Sequence, residues 1–145
     1  FYHVVERGQL GVVFRQLSGR IAWLSMSTEQ LLDEVQSFLA LSDTNALLRA
    51  SVRSAAARAE LFALSRDREA LAEYLHRRDN DPMERLLNRT PAFARRLIEG
   101  GHAFVLHPGD MLLLPQHDAD RGAWHAVYCL DEVPGEALSF AIRHA

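Results

Sequence analysis

Four of the seven histidines, His102, His107, His117 and His125, crowd into one short span, with Asp118 and Asp120 between them and the single cysteine, Cys129, just beyond. Zinc and iron sites take neutral imidazoles, often joined by a carboxylate. A divalent metal, zinc or iron, is therefore the first chemistry this span suggests, with His125, His107 and His117 as its ligands. Alternation along a strand over 102–107 would place His102 and His107 on opposite faces, so only one of them can join His125. His107, beside the turn, is the better placed of the two. The bland alternative is a set of solvent-facing polar side chains near turns. Cys129 could act as a nucleophile only with a base in hydrogen-bond reach. His125 shares its strand face but stands four residues away, about 13 Å at strand rise. A dyad would need His107 or His3 from another strand, and otherwise Cys129 is a small apolar residue. Asp131, Glu132 and Glu136 surround a turn and read as solvated. There is no Gly-x-Ser-x-Gly elbow and no Gly-rich phosphate loop.

Strands and turns must position these groups. His102–His107 alternates loosely into Pro108-Gly109-Asp110, a turn signal. Met111–Leu114 runs apolar to Pro115 and reads as a buried strand, Leu113 included. Trp124–Leu130 is rich in β-formers, and 137–143 follows the turn at Pro134-Gly135. At the other end, Tyr2–Glu6, Leu10–Leu17 and Arg20–Met26 read as a three-stranded meander, with Ser18-Gly19 as a hairpin turn. Between the two strand groups the period becomes helical. Ser27 with Gln30 forms a capping box before Leu31, Leu32, Val35, Phe38 and Leu39. A second stripe runs from Leu47 through Val52 and Ala59 to Ala63. Ser65, Asp81-Pro82 and Thr90-Pro91 mark further starts, and Gly100-Gly101 stops the last helix. About five helices result.

Gly109, five residues, Pro115 and then His125, approached by Gly101-x-Ala103-x-x-Leu106-x-Pro108-Gly109-Asp110, resemble the second sequence motif of the cupin superfamily. The resemblance implies a small β-barrel with His125 as a metal ligand at its mouth and Asp110 as a turn residue. It covers about a fifth of the chain. The gap from Pro115 to His125 is longer than the family pattern, and Cys129 stands where the family has Asn. The first motif, a His-x-His pair with a following Glu, is absent upstream.

The fold class expected is α+β: one antiparallel sheet or small cupin-like barrel built from strands of both ends, with a central helical block, in a single domain over 1–145. The alternative packs each strand group separately on the helices. A chain of 145 residues can bury a core without staples. Its net charge of −3 offers no footprint for nucleic acid. All 16 basic residues are Arg, and the pairs Arg77-Arg78 and Arg95-Arg96 are too few for one. No apolar run is long enough to span a bilayer. One cysteine and no signal-like start lean toward a cytoplasmic location. The chain opens at Phe1 rather than Met, as a fragment or processed product would. Two functions fit: a small-molecule or metal-binding cupin-like domain, or a non-catalytic interaction domain that binds a protein partner or itself.

Overall fold

A computed structural model of the chain describes residues 9–77, 81–116 and 122–143. The chain is α+β and divides into two compact units, one of residues 29–98 and one of residues 9–28 with 99–143. Among the described residues no helix is long and apolar enough to cross a membrane.

The first unit is helical. Among the described residues six helices, not about five, follow one another: α1 (Thr28–Leu39), α2 (Thr44–Leu48), α3 (Ala55–Leu64), α4 (Arg68–Leu75), α5 (Asp81–Arg89) and α6 (Pro91–Glu99). The stripe of α1 behaves as its spacing predicts: Leu31, Leu32, Val35, Phe38 and Leu39 are all buried. Phe38 meets Phe93 of α6 edge to face, with centroids 5.3 Å apart. The single helix expected from Leu47 to Ala63 is in fact α2 and α3. Ser54 breaks it: its backbone is extended and its hydroxyl accepts from Ala57 N–H at 3.3 Å, so a new helix starts inside the apolar stripe. α4 is likewise capped by Asp67, which accepts from Ala70 N–H, while Ser65 Oγ donates back to Phe62 O. Pro91 opens α6 at the position where its missing N–H is harmless, and Gly101, with φ +81°, lies just past the helix end.

The second unit holds the strands β1 (Gln9–Gln16), β2 (Ile21–Ser27), β3 (Ala103–Leu106), β4 (Met111–Pro115), β5 (Ala123–Cys129) and β6 (Ala137–Arg143). They form two antiparallel three-stranded sheets, ordered β4-β1-β6 and β3-β2-β5. Strands from the two ends of the chain do pair with each other, but in two sheets rather than one, and the described strands do not close into a barrel. The hairpin expected at Ser18-Gly19 does not form: β1 and β2 lie in different sheets, each at the centre of its own. Tyr2–Glu6 lies outside the described residues.

The 17–20 link is a corner because its polar groups are satisfied by the 131–136 turn. Leu17 and Ser18 N–H both donate to Glu136 O, and Glu136 N–H donates to Ser18 Oγ. Gly19 sits at φ +68° against Gly135, where a Cβ on Gly135 would collide with the Ser18 carbonyl. Arg20 closes the corner on Asp131, through both its backbone N–H and its guanidinium at 2.7 Å. That partnership holds the Asp131 carboxyl below the usual carboxylate range.

The two sheets meet through Phe14, Leu112 and Leu114 on one side and Ile21, Trp23, Phe104 and Leu106 on the other. Phe14 and Trp23 touch edge to face at 5.0 Å. The apolar run of β4 is buried only on this face. Leu114 is 4% exposed, whereas Met111 and Leu113 are 65% and 63% exposed, so the expectation of a buried Leu113 fails. β4 is an edge strand with one covered face, and its pleat sends alternate residues outward.

Candidate functional site

A hollow of about 310 Å³ lies between the two sheets. Strand alternation sends Val12 and Phe14 of β1, Leu114 of β4 and the residue after it, Gln116, to its wall, with Trp23 of β2, His125 of β5 and Ser139 of β6. Gln9 completes it by another route. Three positions from Val12, it would face away under strict alternation. The β1–β6 register shifts between Gln9 and Gly11, and a bulge of that kind re-aims a side chain. Gln9 and Gln116 are then both buried, and Gln9 Nε2 donates to Gln116 Oε1 at 2.6 Å.

His125 is half-buried here. Its ring lies 5.5 Å from that of Trp23, tilted by 33°. Its Nδ1 is 3.1 Å from Ala123 O. A carbonyl can only accept, so Nδ1 carries the proton and, in the neutral ring, Nε2 keeps the lone pair. The indole Nε1–H of Trp23 is buried with no hydrogen-bond partner among the described residues. Ser139 lies on β6, which is exposed along its whole length, so the hollow opens on that side. No charged side chain among the described residues lines it. It offers an imidazole, an amide pair, a hydroxyl and two aromatic faces.

The described His107 and His102 do not line the hollow. His107 is at the turn, its ring well exposed, its N–H donating to Asp110 Oδ2 at 2.8 Å and its Nδ1 3.6 Å from the same carboxylate. His102 precedes β3, where its carbonyl accepts from Ser25 N–H. His117, Asp118 and Asp120 lie outside the described residues. Cys129 is exposed at the end of β5. β4 and β5 belong to different sheets and are not neighbours in one. Zinc needs at least three protein ligands. No group of three His, Cys, Asp or Glu among the described residues could hold a metal ion, so these residues do not by themselves fit one.

Gln9, Gln116 and Ser139 were not singled out by sequence. Gln116 and Ser139 could have been, from the alternation of their strands. Gln9 could not, because nothing in Gln9-Leu10-Gly11 announces a bulge except the glycine, whose Cβ would press on Leu114 O at 2.8 Å. The site is read from its own geometry: family models, curated proteins and solved structures were all compared with this chain, and none matches it.

Proposed function

We propose that the sheet unit is a small-ligand-binding domain, cupin-like in the placing of His125, that takes a neutral, partly aromatic molecule between its sheets. The observation that carries this reading is the meeting of the His125 imidazole with the buried Gln9–Gln116 amide pair on an aromatic wall. Buried polar groups in a small hollow are costly unless satisfied, and a guest with both donors and acceptors satisfies them. A volume near 310 Å³ suits a guest at the small end of the ligand range. The uncharged lining among the described residues suits a neutral guest better than an ion. A divalent metal, zinc or iron, would find one imidazole here and would need its remaining ligands from His117 or its neighbours.

The test is a panel of neutral aromatic amides and phenols, with zinc and iron(II) as separate arms, read by NMR on the side-chain amides and the His125 ring. Binders should shift the Gln9, Gln116 and His125 signals and lose at least tenfold in affinity in Gln116→Leu. Binding that leaves these signals still, or survives both Gln116→Leu and His125→Ala, sinks the reading. Metal-dependent shifts confined to His125 would replace the neutral guest by a metal.

One observation favours a second role. The outer face of the β4-β1-β6 sheet presents Met111, Leu113, Leu138, Phe140 and Ile142, all between 38% and 65% exposed. Val13 lies between Leu113 and Phe140, and the one charge among the described residues of the face, Arg15, stands at its end. A continuous apolar patch of several hundred Å² marks an interaction surface. A face without carboxylates needs no charged complement, so a second copy of the chain fits it as a self-complementary interface. Sedimentation over a concentration series should show a dimer that Leu113→Glu with Phe140→Glu dissociates. A wild type that stays monomeric at about 100 µM, where weak dimers assemble, ends this reading.

A further inference from the structure

The helical unit contains a cleft of about 570 Å³ that no part of the ligand reading uses. One wall is the 49–54 link between α2 and α3, and the other is α5. The link is held firmly. Ser51 Oγ and Thr90 Oγ1 share a buried hydrogen bond at 2.6 Å, and Thr90 Oγ1 donates to Arg85 O at 3.1 Å. Arg58 donates to the carbonyls of Val52 and Arg53 at 2.7 and 2.8 Å. These bonds hold Arg53 on one wall facing Arg85 and Arg89 on the other, with Asp81 as the one carboxylate among the described residues of the lining.

Among the described lining residues three guanidinium groups stand against one carboxylate, a positive balance in a chain whose total charge is −3. The ion pairs on α5 leave that charge usable. Arg85 meets Asp81 through Nε, at 2.8 and 3.0 Å, and Arg89 meets Glu84 through Nε at 3.4 Å. The terminal Nη groups, which fork onto phosphate oxygens, are not used in either pair. The Ser54–Ala57 start of α3 opens on the same cleft and adds the positive end of its dipole. The cleft is larger than one phosphate, and its lining includes Ala50, Val52 and Ala57.

We infer that this cleft binds a small organic molecule through a phosphate group, held between Arg53 and the Arg85–Arg89 face of α5. The chain is titrated by calorimetry with inorganic phosphate and with AMP at constant ionic strength, with chloride as the blank. AMP should bind, and Arg53→Ala with Arg89→Ala should weaken it at least tenfold. Both residues are exposed, so the melting temperature should not move. Arg95→Ala, on α6 away from the cleft, should bind as the wild type. AMP binding tighter than that of phosphate supports an organic phosphate held also by the apolar lining. Phosphate binding as tightly as AMP overturns the organic part. Absence of binding by both, or AMP binding unchanged in the double variant, overturns the site.

Discussion

The two units distribute their side chains in opposite ways. Of the twelve largest fully buried side chains, eleven belong to the helical unit, and the one in the sheet unit is a glutamine, Gln16. Of the fourteen exposed large apolar side chains among the described residues, only Leu41, Leu47 and Ile98 belong to the helical unit. The helical unit leaves little of its large apolar surface exposed. The sheet unit buries Gln9, Gln16 and Gln116 beside its apolar core and shows aliphatic side chains outside, an exposure that stability does not require.

The largest effect should separate the units most sharply. Phe38→Ala, at a residue 1% exposed and stacked on Phe93, should cost about 3–5 kcal/mol in a urea melt. Leu113→Ala, on the open sheet face, should stay within about 0.5 kcal/mol in dilute protein. Equal costs would erase the contrast. Within the sheet unit, Gly135→Ala should destabilise by roughly 1–3 kcal/mol, because a Cβ there meets the Ser18 carbonyl. A silent Gly135→Ala would mean that the corner does not fix the two sheets. Ser54→Ala should cost about 1 kcal/mol by removing the cap that divides α2 from α3. No loss would return the single long helix. The smallest effect is electrostatic. Asp131 has a lowered carboxyl, so its contribution is present above the ordinary carboxylate pKa and fades as pH falls through the depressed folded value. Asp131→Asn should therefore be less stable than the wild type at neutral pH, and the two melts should converge below about pH 4. A gap that persists in acid would assign the effect to packing instead.

The helices were largely legible because their signals are local. The stripe of α1, the Thr90-Pro91 break and the Gly100-Gly101 stop each sit within a few residues of what they determine. Ser54 was missed because an apolar stripe and a cap occupy the same residues there, and the cap wins. In the sheet unit the strands were legible and their partners were not. Ser18-Gly19 has hairpin chemistry, yet its hydrogen bonds go to Glu136, far along the chain. His125 could be aimed inward by alternation alone. The amide pair beside it could not, since it needs both the bulge at Gln9 and the pairing of Gly11 with Pro115. The cleft arginines were invisible for a related reason, as Arg53 and Arg85 meet only through folded helices.

The strand pairing has a consequence for how the chain is made. Each ladder joins a strand emerging early from the ribosome to one emerging late, as Leu24 with Ala103 and Val13 with Phe140. Until β3 and β4 emerge, β1 and β2 have no partners, and their unpaired edges are open to other nascent chains. The residues between them can form their helices first, which shortens the effective loop to be closed. Vectorial synthesis therefore completes the hollow between the sheets only once β6, which carries Ser139, has emerged.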